Sequence, residues 1–229
     1  MDTPDTTVPV YPRVLPVGES AFTVEFGARV DPALNRRVHA LDALLRRQDR
    51  PGILELVPSY RALLVLYDPG RVTAPELRAQ LLALAQGGDL EAPAPEGRLI
   101  ELPVRYGGEA GPDLDAVAAH TGLTPEEVIR LHSRPVYTVA MLGFAPGFAY
   151  LLGLPERLST PRLSTPRLQV APGSVGIAGS QTGVYALNTP GGWQIIGRTD
   201  LRLFDPVADP PFRIEAGDCV RFVAHSADA

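Results

Sequence analysis

Gly87-Gly88-Asp89-Leu90-Glu91-Ala92-Pro93-Ala94-Pro95-Glu96-Gly97 breaks every periodic pattern in this 229-residue chain. Glycine, proline, alanine and glutamate without a recurring apolar position have the composition of a linker. Upstream, strands alternate with amphipathic helices; downstream, two short helices precede many short strands broken by Gly and Pro. The stretch therefore splits the chain into a first domain over residues 1–90, a linker over 91–97 and a second domain over 98–229, an α+β organisation.

In the first domain, residues 13–17 and 21–26 are short apolar runs around the turn Gly18-Glu19-Ser20, which predicts a hairpin. Asp31 is a natural N-cap and Pro32 suits the first helical position; Leu34, Val38, Leu41 and Leu45 then recur at helical spacing. Residues 53–57 and 62–67 are the next strands, the second ended by Asp68-Pro69-Gly70. Thr73 with Glu76 reads as a capping box, followed by an apolar face of Leu77, Leu81 and Leu84.

The second domain opens with a strand over 98–106 and two helices, the second signalled by Thr124, Pro125 and Glu127 as cap, first turn and box partner. Residues 136–142 form a strand, and the remainder has the texture of a β-barrel or sandwich.

Composition excludes several functions. With 45% hydrophobic and 21% charged residues and a net charge of −5, no basic field exists to draw nucleic acid or an anionic membrane. No apolar run approaches a membrane span, and the acidic N-terminus is unlike a signal peptide, so a cytoplasmic protein is expected. Cys219 stands alone, which rules out an internal disulfide. All 21 basic residues are arginine. Without lysine there is no Schiff base, no biotinylated lysine and no Walker-type phosphate loop in this chain.

The candidates for chemistry lie in the second domain. Histidines at 39, 120, 132 and 225 are too scattered for a metal site, so no metal ligands are expected. His132 ends a helix that feeds the strand leading into residues 143–148. Phe144, Phe148 and Tyr150, set among Gly143, Pro146 and Gly147, read either as a binding site or as a barrel corner whose rings plug the core. Glycines between 173 and 183 read as a close approach to a ligand, with Ser180, Gln181 and Thr182 as polar groups, or as tight β-turns. Arg162, Arg167 and Arg198 are the cations whose context suits a carboxylate or phosphate. Asp113, Asp205 and Asp218 sit beside Gly or Pro and, with nearby Asp115, read as turn residues. No catalytic triad or paired carboxylate can be defended, so the residues alone reach a candidate cleft without a reaction.

Longer strings carry a resemblance. Residues 142–151 (Leu-Gly-Phe-Ala-Pro-Gly-Phe-Ala-Tyr-Leu), the Pro-Arg pairs at 161–162 and 166–167, Gly173-Ser174-Val175-Gly176-Ile177-Ala178-Gly179 and Thr189-Pro190-Gly191-Gly192-Trp193 resemble the KipI / PxpB / allophanate hydrolase subunit 1 family. Strings near residues 18–27, 57–69 and 106–114 match it too, so nearly the whole chain is covered.

The resemblance implies a ferredoxin-like N-terminal α/β domain followed by a cyclophilin-like β-barrel. It implies a hydrolase subunit, inactive alone, that opens 5-oxoproline to glutamate with ATP and Mg at the level of a complex. The partners implied are a KipA/PxpC-type and a LamB/YcsF-type subunit. Alternatives within the family are an inhibitor of a sensor histidine kinase and a urea carboxylase-type carboxyltransferase subunit. On motif position, His132 and Arg198 are expected as catalytic groups. Phe144, Phe148, Tyr150, Arg162, Arg167, Gln181, Thr182, Trp193 and Thr199 are expected to bind substrate or nucleotide.

Overall fold

Asp31 opens the first helix: its carboxylate accepts the Ala33 N–H at 2.7 Å, and Pro32 occupies the first turn. The structure, a computed structural model, describes residues 9–90 and 97–225. The chain divides into two units, Met1–Pro95 and Glu96–Ala229. The linker expected at 91–97 lies, apart from Gly97, outside the described residues.

In the first unit, β1 (Arg13–Val17) and β2 (Ala21–Glu25) form the hairpin, followed by α1 (Pro32–Gln48), β3 (Ile53–Pro58), β4 (Ala62–Tyr67) and α2 (Ala74–Gln86). The sheet order is β1-β2-β4-β3, with every neighbouring pair antiparallel. β2 and β3 both run against β4, so they are parallel to each other and joined through α1 as a split β-α-β unit. Val38, Leu41 and Leu45 of α1 and Leu77 and Leu81 of α2 are buried in one core with Val14, Phe22, Val24, Leu63 and Val65 of the sheet. Truncating such a side chain to alanine costs about 2–5 kcal/mol.

The capping box expected at Thr73 does not form. Thr73 is the N-cap residue, but its side chain makes no capping hydrogen bond. Glu76 instead accepts from Gln80 Nε2 one turn on, at 3.3 Å. The box at Thr124 is complete, with Glu127 N–H donating to Thr124 Oγ1 and Thr124 N–H donating to the Glu127 carboxylate.

The second unit contains β5 (Leu99–Tyr106), α3 (Leu114–Thr121), α4 (Pro125–Ser133), β6 (Val136–Leu142), β7 (Ala149–Leu152), β8 (Arg167–Val170) and β9 (Ser174–Ala178). It continues with β10 (Gln181–Val184), β11 (Thr189–Gly191), β12 (Gln194–Arg198) and β13 (Cys219–Ala224). Seven strands close a barrel in the order β10-β7-β6-β13-β5-β12-β9, and β8 pairs with β11 as a separate ribbon. The architecture is thus mixed α/β, with four α-helices and a closed barrel among the described residues.

Alternation along the strands builds two apolar layers. Val175 and Ile177 of β9, Val184 of β10 and Leu151 of β7 join the barrel core with Val117 and Val128 from the helices. The alternate positions Ala178 of β9 and Tyr150 of β7 join a second cluster with Phe148, Tyr185, Trp193 and Val170, on the opposite face of the wall. Gly176 and Gly183 lie at the matching positions, where an added Cβ would come 3.0 Å from Trp193 atoms. Their missing side chains let the indole lie against the strands.

Candidate functional site

The second cluster opens as a cleft of about 280 Å³ lined by Phe144, Phe148, Tyr150, Arg162, Tyr185 and Trp193, with Pro166, Pro190, Gly191 and Gly192 completing it. Its rings meet edge to face: Phe148 lies 4.7 Å from Tyr150, 4.8 Å from Tyr185 and 5.4 Å from Trp193 between centroids. Such pairs interlock the walls while leaving some ring faces toward the opening. Five residues expected to bind a ligand, Phe144, Phe148, Tyr150, Arg162 and Trp193, are brought together here.

The loop over residues 143–148 explains how Phe144 reaches the cleft. Ala145 N–H donates to Gly143 C=O at 2.7 Å across Phe144, whose φ is +66°, a three-residue turn that side chains rarely adopt. Phe148 N–H then donates to Ala145 C=O at 3.0 Å, with Pro146 and Gly147 (φ +76°) as the central pair of a β-turn. Phe148 is buried as a plug, while Phe144 stays 63% exposed at the rim. The plug reading holds for Phe148, while the Phe144 ring is left at the cleft rim.

The two arginines of the Pro-Arg pairs part company. Arg167 donates to Asp113 Oδ1 at 2.6 Å, and Asp113 Oδ2 accepts the Ile195 N–H at 2.6 Å. Asp113 stands in a turn just before α3, as expected, and is also a buried carboxylate that holds Arg167 against β12. Arg162 is exposed and lines the cleft, and no carboxylate among the described residues pairs with it. Its charge acts on the phenols of Tyr150 and Tyr185, tending to lower them, although burial dominates and holds both above their ordinary range.

His132 lies elsewhere, sealed in the barrel core. Thr182 Oγ1 donates its one proton to Gly176 C=O at 2.9 Å, so the 2.8 Å contact with His132 requires Nε2–H as donor. His132 Nδ1 then accepts from the Tyr106 hydroxyl at 2.8 Å. The imidazole is also stacked on Phe222 at 4.5 Å. Burial pushes its pKa down to about 3, so it is neutral and has no nitrogen left for a ligand. Thr182 is equally buried and faces the barrel interior.

Arg198 and Thr199 border a second, smaller cleft of about 210 Å³ with Pro172, Gly173, Asp200 and Arg202. Asp200 is paired with Arg105 at 2.8 Å and Arg202 with Asp205 at 2.8 Å. The glycine-rich stretch builds the β9–β10 hairpin, whose turn is Gly179-Ser180 with Gly179 at φ +57°. Gln181 sits on β10 opposite Ala178 and lines neither cleft. A larger groove of about 720 Å³ along Leu99, Ile100 and Phe212 contains none of the residues expected to be catalytic or to bind a ligand. Among the described residues, no group of three or more His, Cys, Asp or Glu is placed to hold a metal ion, and no helix is long and apolar enough to cross a membrane. Sequence reasoning missed Tyr185 and Pro166 as lining residues. The available signal for Tyr185 was its position one residue past Val184, which puts it on the face opposite the core.

Both the sequence and the fold have known relatives. The model of the carboxyltransferase domain, subdomain C and D, matches residues 12–214, and the chain belongs to that family. The B-type 5-oxoprolinase subunit from Bacillus subtilis is 43% identical over 221 residues, covering 90% of this chain and 90% of that protein. The protein of the same name from Escherichia coli is 47% identical over 207 residues, covering 90% of this chain and 93% of its own length. The solved structure of TTHA0988 superposes with a TM-score of 0.78 at 39% identity over 91% of this chain, which spans 40% of that longer chain. The urea amidolyase of Saccharomyces cerevisiae is 25% identical over 210 residues, covering 80% of this chain and 11% of that protein. The resemblance read from the motifs is thereby shown.

Proposed function

We propose that this chain is the B-type subunit of a cytoplasmic, ATP-dependent 5-oxoprolinase that opens 5-oxoproline to glutamate. The observation that carries the reading is the similarity, over about nine-tenths of both chains, to proteins named as B-type subunits of 5-oxoprolinase. The chain works with a KipA/PxpC-type and a LamB/YcsF-type partner and is inactive alone. In this reading the barrel is cyclophilin-like. The N-terminal unit is ferredoxin-like with its edge strand moved to the start: β1 takes the sheet position beside β2 that the last strand of a β-α-β-β-α-β unit would hold.

Hydrolysis of an unstrained lactam needs activation of its carbonyl oxygen, which phosphoryl transfer from ATP supplies. Neither cleft fits a magnesium triphosphate by its own donors. The aromatic cleft has one arginine, and in the second cleft Asp200 and Arg202 are already engaged in ion pairs. In this reading the nucleotide and its Mg are held at the level of the complex. Arg162 with the aromatic rings would hold the substrate, and Arg198 with Thr199 would stabilise developing negative charge at the second cleft. His132 is left out of proton transfer because both ring nitrogens are engaged.

The test is ATP-dependent glutamate release by the purified chain and by the chain co-expressed with both partners. Activity confined to the complex is expected; a stable three-subunit complex without activity overturns the reading. A carboxyltransferase-type role, favoured by the urea amidolyase relative, would then take precedence. It would need a biotin-bearing partner, since this chain has no lysine to carry one.

A further inference from the structure

The aromatic cleft has a defined charge. Its lining contains no carboxylate and one cation, Arg162. The neighbouring cation, Arg167, is already neutralised by Asp113 at 2.6 Å. Tyr150 and Tyr185 stay protonated because burial raises both phenols, so neither competes for the guanidinium as an anion. One uncompensated positive charge calls for one negative charge on the ligand.

Its walls define the rest. Phe144, Tyr150 and Trp193 offer flat apolar surface, and the cleft, at about 280 Å³, is at the small end of the ligand pockets found in proteins. Gly191 lies so close to Tyr185 that any side chain there would overlap the phenol. A polyanionic nucleotide is mismatched in both size and charge.

We propose that this cleft takes a small, flat, ring-bearing monocarboxylate, its carboxylate held by Arg162 and its ring lying against Phe144, Tyr150 and Trp193. The assignment deepens the oxoprolinase reading and rests on it for the identity of the ligand, the lactam acid 5-oxoproline. In this placement Arg162 selects for the carboxylate, and the ring lies within the aromatic walls.

Trp193 is the only tryptophan, so its fluorescence reports on this cleft directly. The experiment titrates the full-length chain with 5-oxoproline, with 2-pyrrolidinone, which lacks the carboxylate, and with inorganic phosphate. Saturable change with 5-oxoproline is expected, with binding of 2-pyrrolidinone and binding by Arg162→Ala each weaker by about tenfold or more. Gly191→Ala should remove the signal, whereas Arg130→Ala, on the exposed face of α4, should not change it. Equal binding by Arg162→Ala, equal binding of 2-pyrrolidinone, preference for phosphate, or no saturable change overturns the assignment.

The complex separates the two claims. A wild-type complex that turns over 5-oxoproline while Arg162→Ala keeps its KM overturns the cleft assignment and leaves the oxoprolinase reading intact. Carboxylate-dependent Trp193 quenching in a complex that releases no glutamate does the reverse.

Discussion

His132 Nε2 stands 2.8 Å from Thr182 Oγ1 inside the barrel, and neither side chain reaches solvent. With Tyr106 donating to Nδ1 and Thr182 donating onward to Gly176, the chain of hydrogen bonds runs in one direction and fixes the imidazole tautomer. It ties the end of α4 to β5, β9 and β10, which makes His132 a structural residue of the barrel.

Acid should therefore weaken the fold through His132. The unfolded chain takes up a proton there near pH 6.5, whereas the folded chain resists until about 3, so the unfolded state binds more protons in between. This contribution is intact above about pH 6.5 and falls by about 1.4 kcal/mol for each pH unit below it. Urea unfolding of wild type and His132→Gln between about pH 6.5 and 4.5 should show a flatter profile for the variant. Parallel profiles would count against the buried neutral imidazole.

Thr182→Val keeps the shape of the side chain and strands the His132 Nε2–H. A loss of about 1–3 kcal/mol is expected, the cost of an unsatisfied buried donor. The measurement is the denaturation midpoint at neutral pH, and a change under about 0.5 kcal/mol would contradict the assigned hydrogen bond.

Asp113 serves two partners at once, Arg167 and the Ile195 N–H. Asp113→Ala should cost about 2–4 kcal/mol, because an ion pair and a buried amide lose their acceptor together. Asp113→Asn keeps one acceptor oxygen and should cost less. If the two variants melt together, the Ile195 contact contributes nothing.

Phe144 holds a φ of +66° while its ring sits at the cleft rim. Phe144→Gly relieves the backbone, offsetting the entropy cost of glycine, so stability should change by less than about 1 kcal/mol. Phe144→Val places a β-branched residue there and should destabilise by about 1–2 kcal/mol. Thermal melts of the two variants side by side decide the point; the opposite ranking would show that the turn is not under strain.

Gly173 and Gly179 both have positive φ, at +81° and +57°, but only Gly173 would drive a Cβ into backbone, the Thr199 carbonyl. Gly179→Ala should cost about 1 kcal/mol from conformation alone. Gly173→Ala should cost clearly more and should disturb the Arg198 cleft, visible as amide shifts at Thr199 and Asp200. Equal costs would mean that the strand approach at Thr199 is loose.

The sequence by itself determined the elements whose signals are local. The caps at Asp31 and Thr124, the 3.6-residue apolar period of Val38, Leu41 and Leu45, and the turn residues between strands act through neighbouring backbone, so a reader of the chain can find them. Thr73 departs from that logic: it is the N-cap residue without a side-chain capping bond, and the Glu76 carboxylate meets Gln80 instead. The family strings also marked the cleft, since five of the residues expected from them to bind a ligand line it.

Only tertiary structure decided what each group does. Arg162 and Arg167 occupy matching positions in a repeated Pro-Arg pair, yet one faces the cleft and the other is neutralised by Asp113, fifty-four residues away in sequence. His132, expected from the sequence as a catalytic group, is instead engaged at Nε2 by Thr182, fifty residues downstream, once the barrel closes. Charge state and solvent access depend on which distant side chains meet, and that is settled by closing the barrel, because no residue's own neighbours in sequence specify its dielectric surroundings.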